Sequence, residues 1–142
     1  MKRTIILLAI LLFGTMAISA QDSLYKRLGG YDAVAAVTDD FLGRLLGDKT
    51  LAKFFVGASN DSKKRIRQHI VDFLCNATGG PCAYTGRDMK TVHTGLMITK
   101  KEWDTSVKHL IATLDKFKVP AKEKGEVLGA VGPLEKDIVE KP

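Results

Sequence analysis

Three histidines and two cysteines are the side chains best placed in this sequence to hold a metal or move a proton: His69, His93, His109, Cys75 and Cys82. A neutral imidazole nitrogen is a metal ligand, and its ordinary pKa near 6.5 also suits proton transfer. The spacing excludes the usual zinc signatures, since there is no CxxC pair and no HExxH run. His69 lies in the stretch from Ser62 to Thr78, where apolar residues recur at helical spacing. On a helix with 3.6 residues per turn, Ile66, Ile70, Phe73 and Ala77 fall within about 60° of one another. His69 borders that arc, and Cys75 falls on the opposite side. His93 sits among Met89, Val92, Leu96 and Met97 after a polar loop. The plainer explanation for either histidine is a half-buried ring with a backbone partner. His109, between Lys108 and Leu110, reads as structural.

These side chains have to be positioned by helices, because apolar residues recur every three or four positions and no run alternates as a strand does. Ser23 caps a short helix through Leu28, stopped by Gly29-Gly30. Val34, Val37, Phe41 and Leu45 mark one face of a second helix ending near Gly47. Asp48 opens a turn carrying Leu51, Phe54 and Phe55, closed by Gly57. Asp61 or Ser62 is expected to cap the third helix, which ends at Gly79-Gly80-Pro81. After a loop to about Arg87, a helical turn holds Met89 and His93 and ends at Gly95. Thr99 and Glu102 form a capping box for a helix with Trp103, Val107, Leu110, Ile111, Leu114 and Phe117. Pro120 starts the last helix, with Val127, Leu128, Val131, Leu134 and Ile138, and Gly132-Pro133 should bend it. The expectation is an all-α fold with about four main helices.

The chain has 142 residues, 45% hydrophobic and 27% charged, which bounds it to one soluble-type domain and excludes collagen-like, disordered and disulfide-rich classes. Lys2 and Arg3 precede an apolar run from Ile5 to Phe13, followed by the small residues of Ala17-Ile18-Ser19-Ala20. That order predicts a signal peptide over residues 1–20 and a mature domain over 21–142, exported to the periplasm. The alternative is an N-terminal membrane anchor, but the run is short for a bilayer span of about 20 residues. After cleavage no stable membrane insertion is expected. The exported setting also favours a Cys75–Cys82 disulfide over two free thiols.

Several segments, in order and in register, then carry a resemblance. Leu24-Tyr25-Lys26-Arg27-Leu28-Gly29-Gly30, Asp40-Phe41, Phe54-Phe55, Phe73-Leu74-Cys75 with Gly79-Gly80-Pro81, Tyr84-Thr85-Gly86-Arg87-Asp88-Met89, and His93 with Gly95 closely resemble group 1 truncated haemoglobins. The resemblance runs from about Ser23 to Val139. It implies a truncated globin-like two-over-two helical sandwich around a non-covalent haem b and its iron. Covalent attachment is not expected, since no CxxCH occurs. By position, His93 matches the proximal histidine that binds the iron, and Phe55 the phenylalanine wedged against the haem face. Phe41, Phe73, Tyr84, Met89 and Ile98 match positions near the porphyrin. Phe54, Leu74 and Trp103 match such positions too; plain core packing is the competing explanation for all eight, and weighs equally for Phe54 and Trp103.

The distal side departs from the family pattern. Leu42 stands where many members carry tyrosine, Ile70 where many carry glutamine, and Ile66 occupies another distal position. Two hydrogen-bonding groups for a diatomic ligand are therefore absent, each worth about 1 kcal/mol, or several-fold in affinity. His69 is the remaining distal candidate, either as a sixth iron ligand or directed to solvent or a propionate. Lys63, Lys64, Arg65 and Arg67 cluster at the start of the same helix, where cations oppose the helix dipole. Haem propionates could be their partner, with Lys64 counted among the cofactor contacts; a solvated face is the alternative, above all for Lys63 and Arg67. Nucleic acid is not expected, because the cluster lacks interleaved aromatics.

The resemblance implies reversible binding of dioxygen, nitric oxide or carbon monoxide at the iron of a monomer. The competing classes are a haem-dependent nitric-oxide dioxygenase or peroxidase-like enzyme served by a reductase, an electron-transfer protein ligated by His69 and His93, and a helical binding module without haem.

Overall fold

A computed structural model describes residues 22–141. The expected signal peptide, residues 1–20, lies outside the described residues, as does the membrane-anchor alternative. Among the described residues no helix is long and apolar enough to cross a membrane.

The local signals place most elements where the sequence puts them. Helix α1 (Leu24–Arg27) starts at Ser23, whose hydroxyl accepts from the Lys26 amide. Gly29 and Gly30 follow with φ of 104° and 79°, a region that side-chain-bearing residues rarely adopt. The chain can therefore turn directly into α2 (Gly30–Gly47). Buried Val34, Thr38 and Leu42 form one stripe on α2, four residues apart. A 3₁₀ turn (Ala52–Phe55) leads to α3 (Asn60–Ala77).

The cap of α3 corrects the expectation of Asp61 or Ser62. Ser59 is the N-cap, its hydroxyl accepting from the Ser62 amide at 3.1 Å, so the helix starts earlier. Asp61 sits instead in the first turn, where a negative charge favours the dipole. Cys75 of the same helix is fully buried. On α3, Val71, Leu74 and Cys75 pack with Val34 of α2, half-buried Ile70 and Phe73 pack against that same cluster, and Ile66 is also half-buried.

Helix α4 (Met89–His93) is a short turn, and α5 (Lys100–Lys116) begins with the expected capping box. The Glu102 amide donates to the Thr99 hydroxyl, and the Glu102 carboxylate accepts from the Thr99 amide at 2.8 Å. Helix α6 (Ala121–Val131) does not merely bend at Gly132-Pro133. It stops, passes through a 3₁₀ turn (Gly132–Leu134) and restarts as α7 (Glu135–Ile138), because proline removes the donor that continuity needs.

The four main helices are thus α2, α3, α5 and α6. Helix α2 packs on both α3 and α5, and α1 bridges α2 to α6. Leu110 and Leu114 of α5 share an apolar cluster with Val127 of α6, against which Phe41 of α2 packs. Burying a leucine as fully as Leu114, which is 1% exposed, stabilises the fold by roughly 2 kcal/mol. No strand occurs among the described residues, but the C-terminal tail makes an isolated parallel bridge from Lys141 to Thr99.

Candidate functional site

His93 ends a helix of five residues that could not persist alone, since helix nucleation is unfavourable and so short a segment repays little of it. Asp88 caps it, accepting from the Thr91 amide at 2.9 Å and the Thr91 hydroxyl at 2.6 Å. The Thr91 hydroxyl is the main reason the Asp88 carboxyl lies below its ordinary pKa. The half-buried His93 ring is then fixed by its own helix: Nδ1 lies 2.6 Å from the Met89 carbonyl oxygen. A carbonyl only accepts, so Nδ1 carries the proton and donates. The tautomer that results leaves the Nε2 lone pair available, without a partner among the described residues. A ligating imidazole is ordinarily oriented through its other nitrogen in this way.

Beyond His93 the chain turns sharply. The Leu96 amide donates to the His93 carbonyl at 3.1 Å. Gly95 and Met97 both adopt left-handed conformations, with φ of 86° and 58°. The tail folds back over this turn. The amides of Glu140 and Lys141 donate to the Ile98 carbonyl at 2.9 and 3.1 Å, and the Lys100 amide donates to the Lys141 carbonyl at 3.0 Å. The Glu140 carboxylate accepts from the Gly95 amide at 2.9 Å and the Met97 amide at 2.5 Å. Those two donors, Gly95 first, hold its pKa below the ordinary carboxylate value.

On the opposite side, Tyr84 joins α3 to the segment that leads into α4. Its ring meets Phe73 edge-on at 5.5 Å and His69 edge-on at 6.1 Å, spacings typical of attractive T-shaped pairs. Its hydroxyl donates to the Arg87 carbonyl at 2.6 Å, and burial pushes the phenol pKa up. The Cys75–Cys82 disulfide forms as expected, with the two Cα atoms 5.7 Å apart, and ties the buried face of α3 to this segment. Gly80 is required inside the loop, because a Cβ there would come within 2.6 Å of the Tyr25 ring and 2.7 Å of the Cys75 sulfur.

The residues singled out by sequence therefore divide into groups. His69, Phe73 and Tyr84 meet in ring contacts. Met89 packs with Ile98, Trp103 and Ile138, as does Phe54 of the 3₁₀ turn, so the core role weighed for Phe54 and Trp103 is part of their function. Leu42 is buried, and Phe41, Phe55, Ile66 and Ile70 are half-buried. His69 is exposed. Lys64 is exposed and lies 3.6 Å from Asp61. Arg67 is not part of a solvated basic face: it forms a two-pronged pair with Asp39 of α2. Arg65 donates to the Ser62 hydroxyl at 3.1 Å.

Two side-chain contacts tie the segment from Asp48 through the 3₁₀ turn to α5. His109 Nε2 lies 2.9 Å from Asp48, which confirms a structural role for His109. Asp48 also accepts from the hydroxyl and amide of Thr50 and the amide of Leu51, and its pKa lies well below the ordinary range, the Thr50 hydroxyl contributing most. Lys53 lies 2.6 Å from Glu102, and that contact leads the forces holding Glu102 down to a pKa of about 2. Deeper in, Asp40 accepts from Lys116, Arg44 and Thr113 at 2.5, 2.7 and 2.8 Å, joining α2 to α5 beside Phe41 and Leu42.

Among the described residues no three His, Cys, Asp or Glu side chains converge as metal ligands. A metal on His93 has to bring most of its coordination sphere with it. One imidazole with a free Nε2 and a set of half-buried apolar and aromatic side chains on linked segments fit a flat, apolar metal macrocycle.

Comparison with known proteins points the same way. The sequence profile of the bacterial-like globins matches residues 23–140. The group 1 truncated hemoglobin GlbN of Mycolicibacterium paratuberculosis is 38% identical over 116 residues, covering 82% of this chain and 83% of that protein. The chain belongs to the group 1 truncated haemoglobin family. The truncated haemoglobin fold is equally plain in space. The Fe(III) form of the truncated hemoglobin from Tetrahymena pyriformis superposes with a TM-score of 0.77 at 27% identity, over 84% of this chain and all of that one. The 2/2 hemoglobin from Synechococcus sp. PCC 7002, solved in the cyanomet state with covalently attached heme, also gives 0.77, at 30% identity over 84% of this chain and all of that one. The all-α two-over-two expectation is met.

Sequence reasoning missed two supports of this truncated haemoglobin site. Asp88 was legible, three residues ahead of Thr91 at a helix start. Glu140 was not, because its partners are amides more than 40 residues away and a lone carboxylate near a chain end carries no pattern.

Proposed function

We propose that this truncated haemoglobin binds a diatomic gas reversibly, on a non-covalent haem whose iron is ligated by His93. The observation that carries the reading is the hydrogen bond from His93 Nδ1 to the Met89 carbonyl, which leaves Nε2 as the ligating atom. Haem binding itself follows from membership of the globin family and from the haem-bound relatives. When bound, haem iron supplies one coordination position for His93 and one for an exogenous ligand. The chain supplies everything else. Met89 and Ile98 form the apolar support beside His93 through the cluster they share with Trp103. Phe55, Phe41 and Phe73 contribute aromatic surface, and Leu42, Ile66 and Ile70 exclude water on the distal side without donating a hydrogen bond. Lys64 on the exposed start of α3 is the candidate partner for a propionate.

An apolar distal side lowers the stabilisation of a polar ligand by about 1 kcal/mol for each missing hydrogen bond. That favours reversible binding over rapid nitric-oxide dioxygenation, which needs dioxygen held firmly and a reductase. A second reading, electron transfer through iron held by both His69 and His93, has one observation in its favour. His69 borders the Ile66 and Ile70 face of α3 and meets the Tyr84 ring, which also packs edge-on against Phe73. We also propose export to the periplasm. The N-terminal sequence pattern supports it, and so does the disulfide, which persists in oxidising compartments.

The test is a spectrum. The mature domain purified with haem should show a Soret band, and His93→Ala should lose most haem retention, at least ten-fold in half-life. Near-normal retention in that variant removes the ligand assignment. His69→Ala should leave the ferrous spectrum unchanged under the gas-binding reading. Conversion from six- to five-coordinate in that variant replaces it with the electron-transfer reading.

A further inference from the structure

A methionine at φ of 58° is a rare backbone state, and here it stands four residues beyond the candidate iron ligand. Strained residues of this kind persist only where their surroundings hold them, and they concentrate at functional sites. What holds Met97 is on the tail. Its amide donates to the Glu140 carboxylate at 2.5 Å, and the Gly95 amide donates to the other oxygen of the same group at 2.9 Å. One carboxylate thus gathers two amides that point the same way out of a tight turn, a strong charge-assisted arrangement.

The tail's own position does not depend on that carboxylate. Main-chain bonds from Glu140 and Lys141 to the Ile98 carbonyl, and from Lys100 to the Lys141 carbonyl, fix the backbone. Ile138, just before it, is buried with Ile98 and Trp103, beside Met89. The Glu140 side chain is therefore delivered to the turn by a frame that would survive its removal. The turn is in direct continuity with the ligand: the Leu96 amide donates to the His93 carbonyl, and His93 Nδ1 donates to Met89 one helical turn back. The ring is held through Nδ1 by its own helix, and the His93 main chain is held on its C-terminal side by the turn that Glu140 closes.

We propose that Glu140 is a positioning residue for the His93 ring, holding the left-handed Gly95–Met97 turn and through it the tilt and depth at which Nε2 is presented. The proposal rests on His93 being the iron ligand. Its effect is on ring placement: with the turn released, the last residue of α4 gains freedom, and the ring samples several orientations where it now has one.

The experiment compares Glu140→Ala, Glu140→Gln and the double variant Glu140→Ala/Met97→Gly, with His93→Ala as the reference. In the haem-free protein, hydrogen exchange at the Gly95 and Met97 amides should accelerate at least ten-fold in Glu140→Ala, with Lys100 and Trp103 unchanged. In the haem-loaded ferrous protein, the iron–histidine stretching band should broaden and shift, and haem transfer to an acceptor apoprotein should speed up about ten-fold. Glu140→Gln, which keeps one acceptor oxygen but loses the charge, should fall between. Glycine adopts positive φ freely, so Met97→Gly should restore a narrow band in the alanine background; a carboxylate that merely anchored the tail would show no such rescue. Unchanged amide exchange and an unchanged band in Glu140→Ala overturn the proposal. A His93→Ala protein that keeps its haem and its band overturns the ligand assignment instead, and the exchange data separate the two failures.

Discussion

Breaking the Cys75–Cys82 disulfide should lower stability by about 2 kcal/mol, a figure set by the loop it closes. The two cysteines are 7 residues apart. The chain-entropy relation for a loop of that size gives about 8 cal/mol/K, or about 2.3 kcal/mol at 25 °C. Cys75 is also fully buried, so Cys75→Ala/Cys82→Ala should lose up to about 1 kcal/mol more from a poorly filled site. The clean perturbation is therefore chemical: reduce the natural protein with a phosphine, confirm two free thiols by mass, and unfold it in urea. With a slope of about 1.5 kcal/mol/M for a domain of this size, the midpoint should fall by about 1.5 M. Haem must be held at one concentration throughout, because a ligand of the folded state raises apparent stability by mass action. A midpoint that moves by less than about 0.3 M in the fully reduced protein refutes the reasoning. It would mean that the bonds around the loop, the Asn76 amide to Cys82 and the Gly80 amide to Cys75 among them, restrain it without the sulfur link.

Two further predictions concern the site and its supports. Ile70→Gln should restore a distal hydrogen-bond donor worth about 1 kcal/mol and raise dioxygen affinity about five-fold by equilibrium titration, whereas an unchanged affinity would place residue 70 away from the ligand. Glu102 has a folded pKa of about 2 against an ordinary 4.5, so its ionised form stabilises the protein above about pH 4.5 and that contribution drains away as pH falls toward 2. Glu102→Gln should cost about 1–2 kcal/mol at neutral pH and show a shallower loss between pH 4.5 and 2; parallel acid-unfolding curves for the two proteins would contradict the Lys53 contact.

Much of the architecture was legible because it is written in short-range signals. Ser23, Thr99 with Glu102, and the glycine pairs act within four residues of themselves, and each sits where the sequence places it. The proposed iron ligand, His93, was legible only through its neighbours in a family motif, since one His on a short turn says little alone. What could not be read depends on partners distant in sequence. Arg67 looked like part of a basic face until Asp39, 28 residues earlier, came beside it. The helical arc placed Cys75 away from Ile66, Ile70 and Phe73 but not its depth, which comes from packing with Val34 of α2. Ser59 was passed over as a cap because Asp61 and Ser62, also cap-forming types, lay closer to the first apolar residue.

The segments that carry the site residues are secured by different forces. The face of α3 bearing Ile66 and Ile70 is backed by Val71, Leu74 and Cys75, tightly packed against α2. The turn bearing Phe55 is tied to α5 by Asp48 with His109 and by Lys53 with Glu102, and the Lys53 side chain is 60% exposed. Packing responds weakly to salt at physiological concentration, whereas an exposed charge pair is screened over about 8 Å. Ionic strength thus acts on the Phe55 turn through Lys53 and Glu102, and on α3 through the exposed Arg67–Asp39 pair. A salt titration of ligand-binding rates would read both attachments, and repeating it with Asp39→Asn would separate the share that runs through α3 from the share that runs through the turn.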